Sequence, residues 1–147
     1  MLRITLDINQ LVRALMRPPE LATFVMAWQS RRFTIVCSRP LLEEYLLVLD
    51  CPEIAELIYP EVRRVFLTQL LALLEIIDLP EIPAICRDPA DDKVLATALW
   101  GDVDYLVTAD HDLTTPAVTQ MLHQEGTAHC TIDDLLHVLD RGPASST

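Results

Sequence analysis

Glycine is scarce. Three glycines (Gly101, Gly126, Gly142) are spread over 147 residues. None belongs to the clustered run that cradles a phosphate, which excludes nucleotide-binding folds built on such loops. Lysine is scarcer still: Lys93 stands alone, at an expected helix start. A receiver-type signalling domain, which uses an acidic magnesium pocket, needs a lysine near the end of its last strand. The four cysteines (Cys37, Cys51, Cys86, Cys130) show no CxxC spacing, and three lie within or beside apolar runs, where a free thiol behaves as a small hydrophobe. Neither a disulfide framework nor a zinc site is expected, since His123, His129 and Cys130 fit no standard ligand spacing. No apolar run reaches the roughly 18 residues of a membrane span. Asp7 interrupts the only candidate apolar region for a signal peptide, so the expected compartment is the cytoplasm, with no membrane partner.

Basic charge is missing from one half only. Residues 1–64 carry eight arginines and eight acids, whereas residues 65–147 carry three basic against fourteen acidic groups and hold the whole net charge of −11. This is not the broad basic field of a protein held to nucleic acid by phosphate contacts alone. If the substrate is a polyanion, metal ions must screen the acids and the N-terminal arginines must do the gripping.

What is present is a core. Half the residues are hydrophobic, enough for one compact domain of two or three layers. Apolar patterns alternate between strand and helix periods. Leu2–Leu6 reads as a strand, followed by helices near Leu11–Met16 and Glu20–Ser30, and "FTIVCS" (Phe33–Ser38) as a second strand. Pro40 opens a helix over Leu41–Leu49. Cys51–Ile58 and Glu61–Leu74 read as two more helices, and Ile76–Leu79 as a short strand. After the proline-punctuated loop "PEIPAICRDPADD" come a helix over Asp92–Leu99, the strand "DYLVTAD" ending at Asp110, a helix over Ala117–Gln124, a strand near Thr127–Thr131 and a helix near Asp133–Leu139. The expectation is one domain over residues 1–140 with a tail at 141–147. It is an α/β fold with a mostly parallel central sheet and helices on both faces.

Ligands of such sheets bind outside the carboxyl ends of the strands, where this chain puts its acids. Asp7 ends the first strand, Glu44 lies one turn beyond Pro40, Asp92 starts a helix, and Asp110 with Asp112 ends "DYLVTAD". Carboxylates converging on one edge repel unless a hard divalent cation joins them; Mg²⁺ or Mn²⁺ takes oxygen ligands and keeps waters for a substrate phosphate. Two such ions would activate a water and stabilise the leaving oxygen in phosphodiester cleavage. Each acid also has an ordinary structural use: Asp7 and Asp92 as helix caps, Glu44 as a solvated helix residue like its neighbour Glu43, Asp110 and Asp112 as a turn, and Asp88-Pro89 as another. Their common placement at strand ends is the stronger signal.

The segments "LDINQLVRAL", "CSRPLLEEYLLVL", "CRDPADDKVLATAL" and "DYLVTADHDL", in that order over residues 2–140, resemble the PIN domain family of metal-dependent ribonucleases. Within that family the chain is similar to the toxin components of toxin–antitoxin systems. The resemblance implies a three-layer α/β/α fold with catalytic and metal-holding acids at Asp7, Glu44, Asp92 and Asp110, and Asp112 as an accessory acid. Asn9 matches a polar position that would steady Asp7. Ile8 departs from the family's Thr or Ser, which leaves Ser38 and Thr108 to supply supporting hydrogen bonds. A haloacid-dehalogenase-type phosphatase would need an aspartate where Asn9 stands. The competing reading from another class is a non-catalytic interaction module on the PIN fold, favoured by Ile8 and opposed by the intact set of acids.

The resemblance also implies RNA as substrate, a small antitoxin that blocks the site, and a homodimer. Arg13 and Arg17, four apart on the expected first helix and so on one face, are candidates for gripping RNA. An antitoxin arginine would meet paired carboxylates with a bidentate fork. The helix Glu61–Leu74, with Leu67, Leu70, Leu71, Leu73 and Leu74 around much of its circumference, is the candidate dimer face.

Overall fold

The structure, a computed structural model, describes residues 1–141. The expected tail therefore lies, Arg141 apart, outside the described residues. Five strands form one all-parallel sheet in the order β3-β2-β1-β4-β5: β1 (Leu2–Leu6), β2 (Phe33–Ser38), β3 (Glu75–Ile77), β4 (Tyr105–Val107) and β5 (Ala128–Cys130). Eight helices flank it among the described residues: α1 (Ile8–Leu15), α2 (Pro18–Gln29), α3 (Arg39–Asp50), α4 (Pro52–Ala55), α5 (Pro60–Leu73), α6 (Asp92–Trp100), α7 (Pro116–Gln124) and α8 (Ile132–Asp140). This is a three-layer α/β/α arrangement, as the alternating pattern predicts.

The central strands are apolar on both faces because both are covered. Ile4, Leu6, Ile35, Val36, Cys37, Leu106 and Val107 are all fully buried. Trp28 of α2 packs on Phe66 of α5 and on Phe24, which reaches Phe33 of β2. Right-handed crossovers place α6 and α7 on the other face, and α6 lies against β1, β2 and β4. At its end the chain passes so close to the sheet that a Cβ on Gly101 would stand 2.6 Å from the Thr97 carbonyl oxygen and 2.8 Å from Val36 Cγ1. Any larger residue there would push α6 off β2.

Local chemistry moved several expected boundaries. The helix expected over Cys51–Ile58 shrinks to the single turn of α4. The strand expected to reach Asp110 stops at Val107; beyond it the Asp110 amide turns back to donate to the Thr108 hydroxyl. Helix α1 ends at Leu15, so Arg17 does not share a helix with Arg13. Arg17 instead precedes Pro18 in a non-helical conformation (φ −124°, ψ 85°), because a proline ring disfavours the helical region for the residue before it.

β1 lies between β2, reached by the crossover that follows it, and β4, reached after the chain has doubled back. The crevice at the carboxyl ends of β1 and β4 is thus where the sheet's winding reverses, the place where such folds hold ligands.

Candidate metal centre

Asp7 leaves β1 and begins α1, and its backbone and side chain both serve that junction. Its amide donates to the Val107 carbonyl (2.9 Å), tying β1 to β4, and its carbonyl accepts from Gln10 and Leu11. Its Oδ1 accepts from the Asn9 amide at 3.4 Å, the helix-cap use open to it from sequence. The other oxygen, Oδ2, accepts from the Thr108 hydroxyl at 2.9 Å. That hydroxyl also receives the Asp110 amide at 3.0 Å, so its own proton must point to Asp7. Asn9 therefore steadies Asp7 through its backbone, and Thr108 links Asp7 to Asp110. Underneath, the buried Tyr45 hydroxyl donates to the Leu6 carbonyl and fixes the end of β1 against α3.

Asp110 and Asp112 follow β4 in a 3₁₀ turn, His111–Leu113. Asp110 Oδ1 accepts from the Asp112 amide (2.8 Å), which turns both carboxylates toward one place. There they meet Asp91, from the 3₁₀ turn Pro89–Asp91 that leads into α6. One oxygen from each of Asp91, Asp110 and Asp112 lies within 4.8 Å of the others. Asp91 is 9 % exposed, and its Oδ2 is buried with no hydrogen-bond partner among the described residues. Burial, then the charges of Asp110, Asp7, Asp88 and Asp112, push its pKa up to about 7. Burial also raises Asp7, and Asp110 adds to this, while the Thr108 hydroxyl and the Asn9 amide work against it. A carboxyl raised by burial and by the charges of its neighbours, with a buried oxygen unsatisfied, fits the oxygen donor set of a hard divalent cation.

The other acids singled out in the sequence stand in different places. Asp92, 6 % exposed, turns away from this group; its Oδ1 accepts from the Cys86 amide (2.7 Å) and the Ile85 amide (3.0 Å). Burial works to raise its carboxyl, but those amides outweigh it and hold the pKa below the usual value. The resemblance to the PIN family implies Asp92, whereas the geometry brings Asp91 into the cluster. The doubled acid of "PADDK" was the available signal for that. Glu44, half-buried, faces the first turn of α6, with Oε1 3.6 Å from Lys93 Nζ. Its carboxylate is not among the three gathered oxygens, and Glu43 is solvent-exposed. Ser38, fully buried, bonds to the Thr97 hydroxyl (2.7 Å), which donates on to the Lys93 carbonyl. Ser38 thereby fastens α6 to β2 and touches no acid of the cluster.

Arg13 and Arg17, though on different elements, line one cleft of about 110 Å³ between α1 and the start of α8, with Gln10, Glu20, Thr131 and Asp133. The Gln10 side chain accepts from the Ile132 amide there (3.0 Å). No local pattern in the sequence marks Arg87. Its Nε and Nη2 donate to the two oxygens of Asp112 at 2.9 and 2.8 Å. The guanidinium holds the Asp112 carboxyl below its ordinary range.

Residues 3–112, a span that includes every acid of this group, match a family model described as PIN domain. No curated protein matches the chain.

Proposed function

The chain belongs to the PIN domain family, a nuclease-type fold, and from that premise we propose that it is a Mg²⁺- or Mn²⁺-dependent endoribonuclease, the toxin of a toxin–antitoxin pair. The observation that carries the reading is the buried, unpartnered Asp91 Oδ2 among Asp7, Asp110 and Asp112 at the point where the sheet reverses. Leaving a buried carboxylate oxygen unpaired costs on the order of 1–3 kcal/mol. Such a cost persists where a ligand recovers it.

When bound, a divalent cation here supplies Lewis acidity at a phosphoryl oxygen and acidifies water. The protein's own residues do the rest. Asp91, Asp110 and Asp112 provide the oxygen donors, and Asp7 adds charge from below, its orientation set by Thr108 and the Asn9 amide. Glu44, across α6, is suited to a contact through water on the α3 side, with Lys93 tempering its charge. The Thr108 hydroxyl does what a hydroxyl at position 8 would do, since Ile8 is turned into the core. Arg13 and Arg17 offer cationic purchase for the RNA backbone in the α1–α8 cleft.

The antitoxin and the second copy of the chain need apolar docking faces. Between α2 and α5, Leu21, Val25, Val62, Val65 and Phe66 line an open apolar groove of about 360 Å³. Leu71 on α5 is 64 % exposed and Leu47 on α3 is 74 % exposed. These faces support a homodimer, or an amphipathic antitoxin helix laid in the groove.

The test is cleavage of structured and single-stranded RNA in Mn²⁺, in Mg²⁺ and in chelator, with Asp7→Asn and Asp91→Asn as controls. Cleavage that survives chelator or either substitution sinks the assignment. Arrest of growth on expression, relieved by Asp7→Ala and by the product of a neighbouring gene that co-purifies, tests the toxin role. Light scattering tests the dimer.

A further inference from the structure

Arg87 has a role that the nuclease reading leaves open. Its guanidinium takes both oxygens of Asp112, one of the three carboxylates gathered at the site. A divalent cation on Asp91, Asp110 and Asp112 would stand beside that guanidinium, and the two positive charges would contend for one carboxylate. Arg87 is free to yield. Its side chain is 81 % exposed, and the side-chain hydrogen bonds it makes among the described residues are those to Asp112. The pair is open to water on the arginine side only, the Asp112 side chain being 17 % exposed, so the guanidinium can swing into solvent when a divalent cation takes the carboxylate.

The position of Arg87 gives the displaced group a use. It stands four residues before Asp91, just ahead of Asp88, whose side chain accepts from the Ala90 amide and starts the 3₁₀ turn. Its backbone thus stays fixed beside the cluster wherever the guanidinium goes. RNA approaching here meets a strongly acidic surface. Of the three basic residues after position 64, Lys93 faces Glu44 and Arg141 closes α8. The Asp112 contact uses Nε and Nη2, and the remaining N–H donors of the planar fork suit a phosphate.

Resting on the nuclease reading, we propose that Arg87 competes with the divalent cation for Asp112 and, once displaced, clamps a phosphate of the RNA backbone beside the scissile bond. It acts as a positioning residue that couples cation binding to substrate binding.

The experiment uses the full chain as wild type, Arg87→Gln and Arg87→Lys, with thermal melts to verify that each folds. Calorimetry measures Mn²⁺ affinity. Fluorescence anisotropy measures binding of a phosphorothioate RNA oligonucleotide in Mn²⁺ and in chelator. Arg87→Gln is expected to bind Mn²⁺ about tenfold more tightly, the scale of losing one adjacent cation, and to bind RNA about tenfold more weakly in Mn²⁺, the scale of one charge-assisted phosphate contact. In chelator, wild type and Arg87→Gln should bind RNA alike. Arg87→Lys, which keeps the charge without the fork, should restore Mn²⁺ affinity and leave RNA binding weak. Mn²⁺ affinity that is unchanged or weaker in Arg87→Gln overturns the competition and leaves Arg87 as a fastener of its loop. Unchanged RNA affinity in Mn²⁺ overturns the clamp while the nuclease reading stands. A wild type that cleaves no RNA, with both affinity shifts present, sinks the nuclease reading and upholds the coupling of cation and RNA binding through Arg87.

Discussion

The two ends of the sheet use acidic residues in opposite ways. At the amino end, acids and cation are closed on each other. Arg3 of β1 donates to Glu75 at 2.8 Å and to the Gly101 and Asp102 carbonyls, while its amide donates to Asp104. At the carboxyl end, Asp91, Asp110 and Asp112 gather, with the charge of Asp7 close enough to act on Asp91, one Asp91 oxygen is buried without a partner, and Arg87 sits on the rim. The Glu75 carboxyl is accordingly held low by the Arg3 hydrogen bond, whereas Asp91 is driven up to about 7 by burial and its neighbours. A network in which acids and guanidinium are paired welds strands together. One left open costs stability and keeps a place for a ligand.

That contrast breaks most visibly at Asp91. Asp91→Asn and Asp7→Asn are each expected to lower RNA cleavage by about 100-fold or more, the scale of removing one group from the reacting machinery, and to abolish the heat of Mn²⁺ binding. Equal loss in Asp92→Asn, whose amide oxygen can still accept from Ile85 and Cys86, would move the ligand back to the residue that the family resemblance implies.

Asp92→Ala is the structural counterpart. It strands two amides, and stability measured by urea titration should fall by about 1–3 kcal/mol. Mn²⁺ affinity per folded molecule should change far less than in Asp91→Asn.

The third expectation concerns pH. Asp91 ordinarily titrates near 3.8 and here near 7. The metal-free folded protein therefore binds more protons than the unfolded chain between those values, and its stability declines as pH rises through that window. Asp91→Asn should then stabilise the metal-free protein at pH 8 by about 1–2 kcal/mol, less than the full shift implies because water screens the site. The gain should vanish near pH 4. Since the cation needs the carboxylate, wild-type Mn²⁺ affinity should drop as pH falls below 7. Flat calorimetric affinity from pH 8 to pH 5 would refute the coupling.

The closed end gives the smaller effects. Arg3→Met should cost about 1 kcal/mol, the net worth of a partly exposed hydrogen-bonded pair, and leave Mn²⁺ affinity alone. Glu43→Ala, on the solvent side of α3, should stay within about 0.5 kcal/mol in melts and within error in cleavage. A large effect there would mean that α3 presents the wrong face.

Much of this molecule was legible from residues alone. The alternation of periods in "ITL", "FTIVC" and "YLV" with apolar helices dictates strands buried on both faces, hence a parallel sheet between two helix layers. Acids just after those strands must then gather at one edge, because parallel strands all end on the same side. Those are consequences of local pattern and topology. Other features depended on contacts between distant segments. Asp91 and Asp92 are adjacent where a helix begins, so their side chains leave in directions about 100° apart. Which one joins Asp110 and Asp112 was decided by the Ile85 and Cys86 amides, which needed an acceptor and took Asp92. Arg17 was carried off the first helix by Pro18 and yet returned to the cleft of Arg13 by the packing of α2 against α1 and α8. Arg87 met Asp112 across 25 residues of sequence only because the loop before α6 passes over the end of β4. Periodicity specifies which face of an element is apolar. The pairing of one polar side chain with another is set by where the backbone finally brings them together.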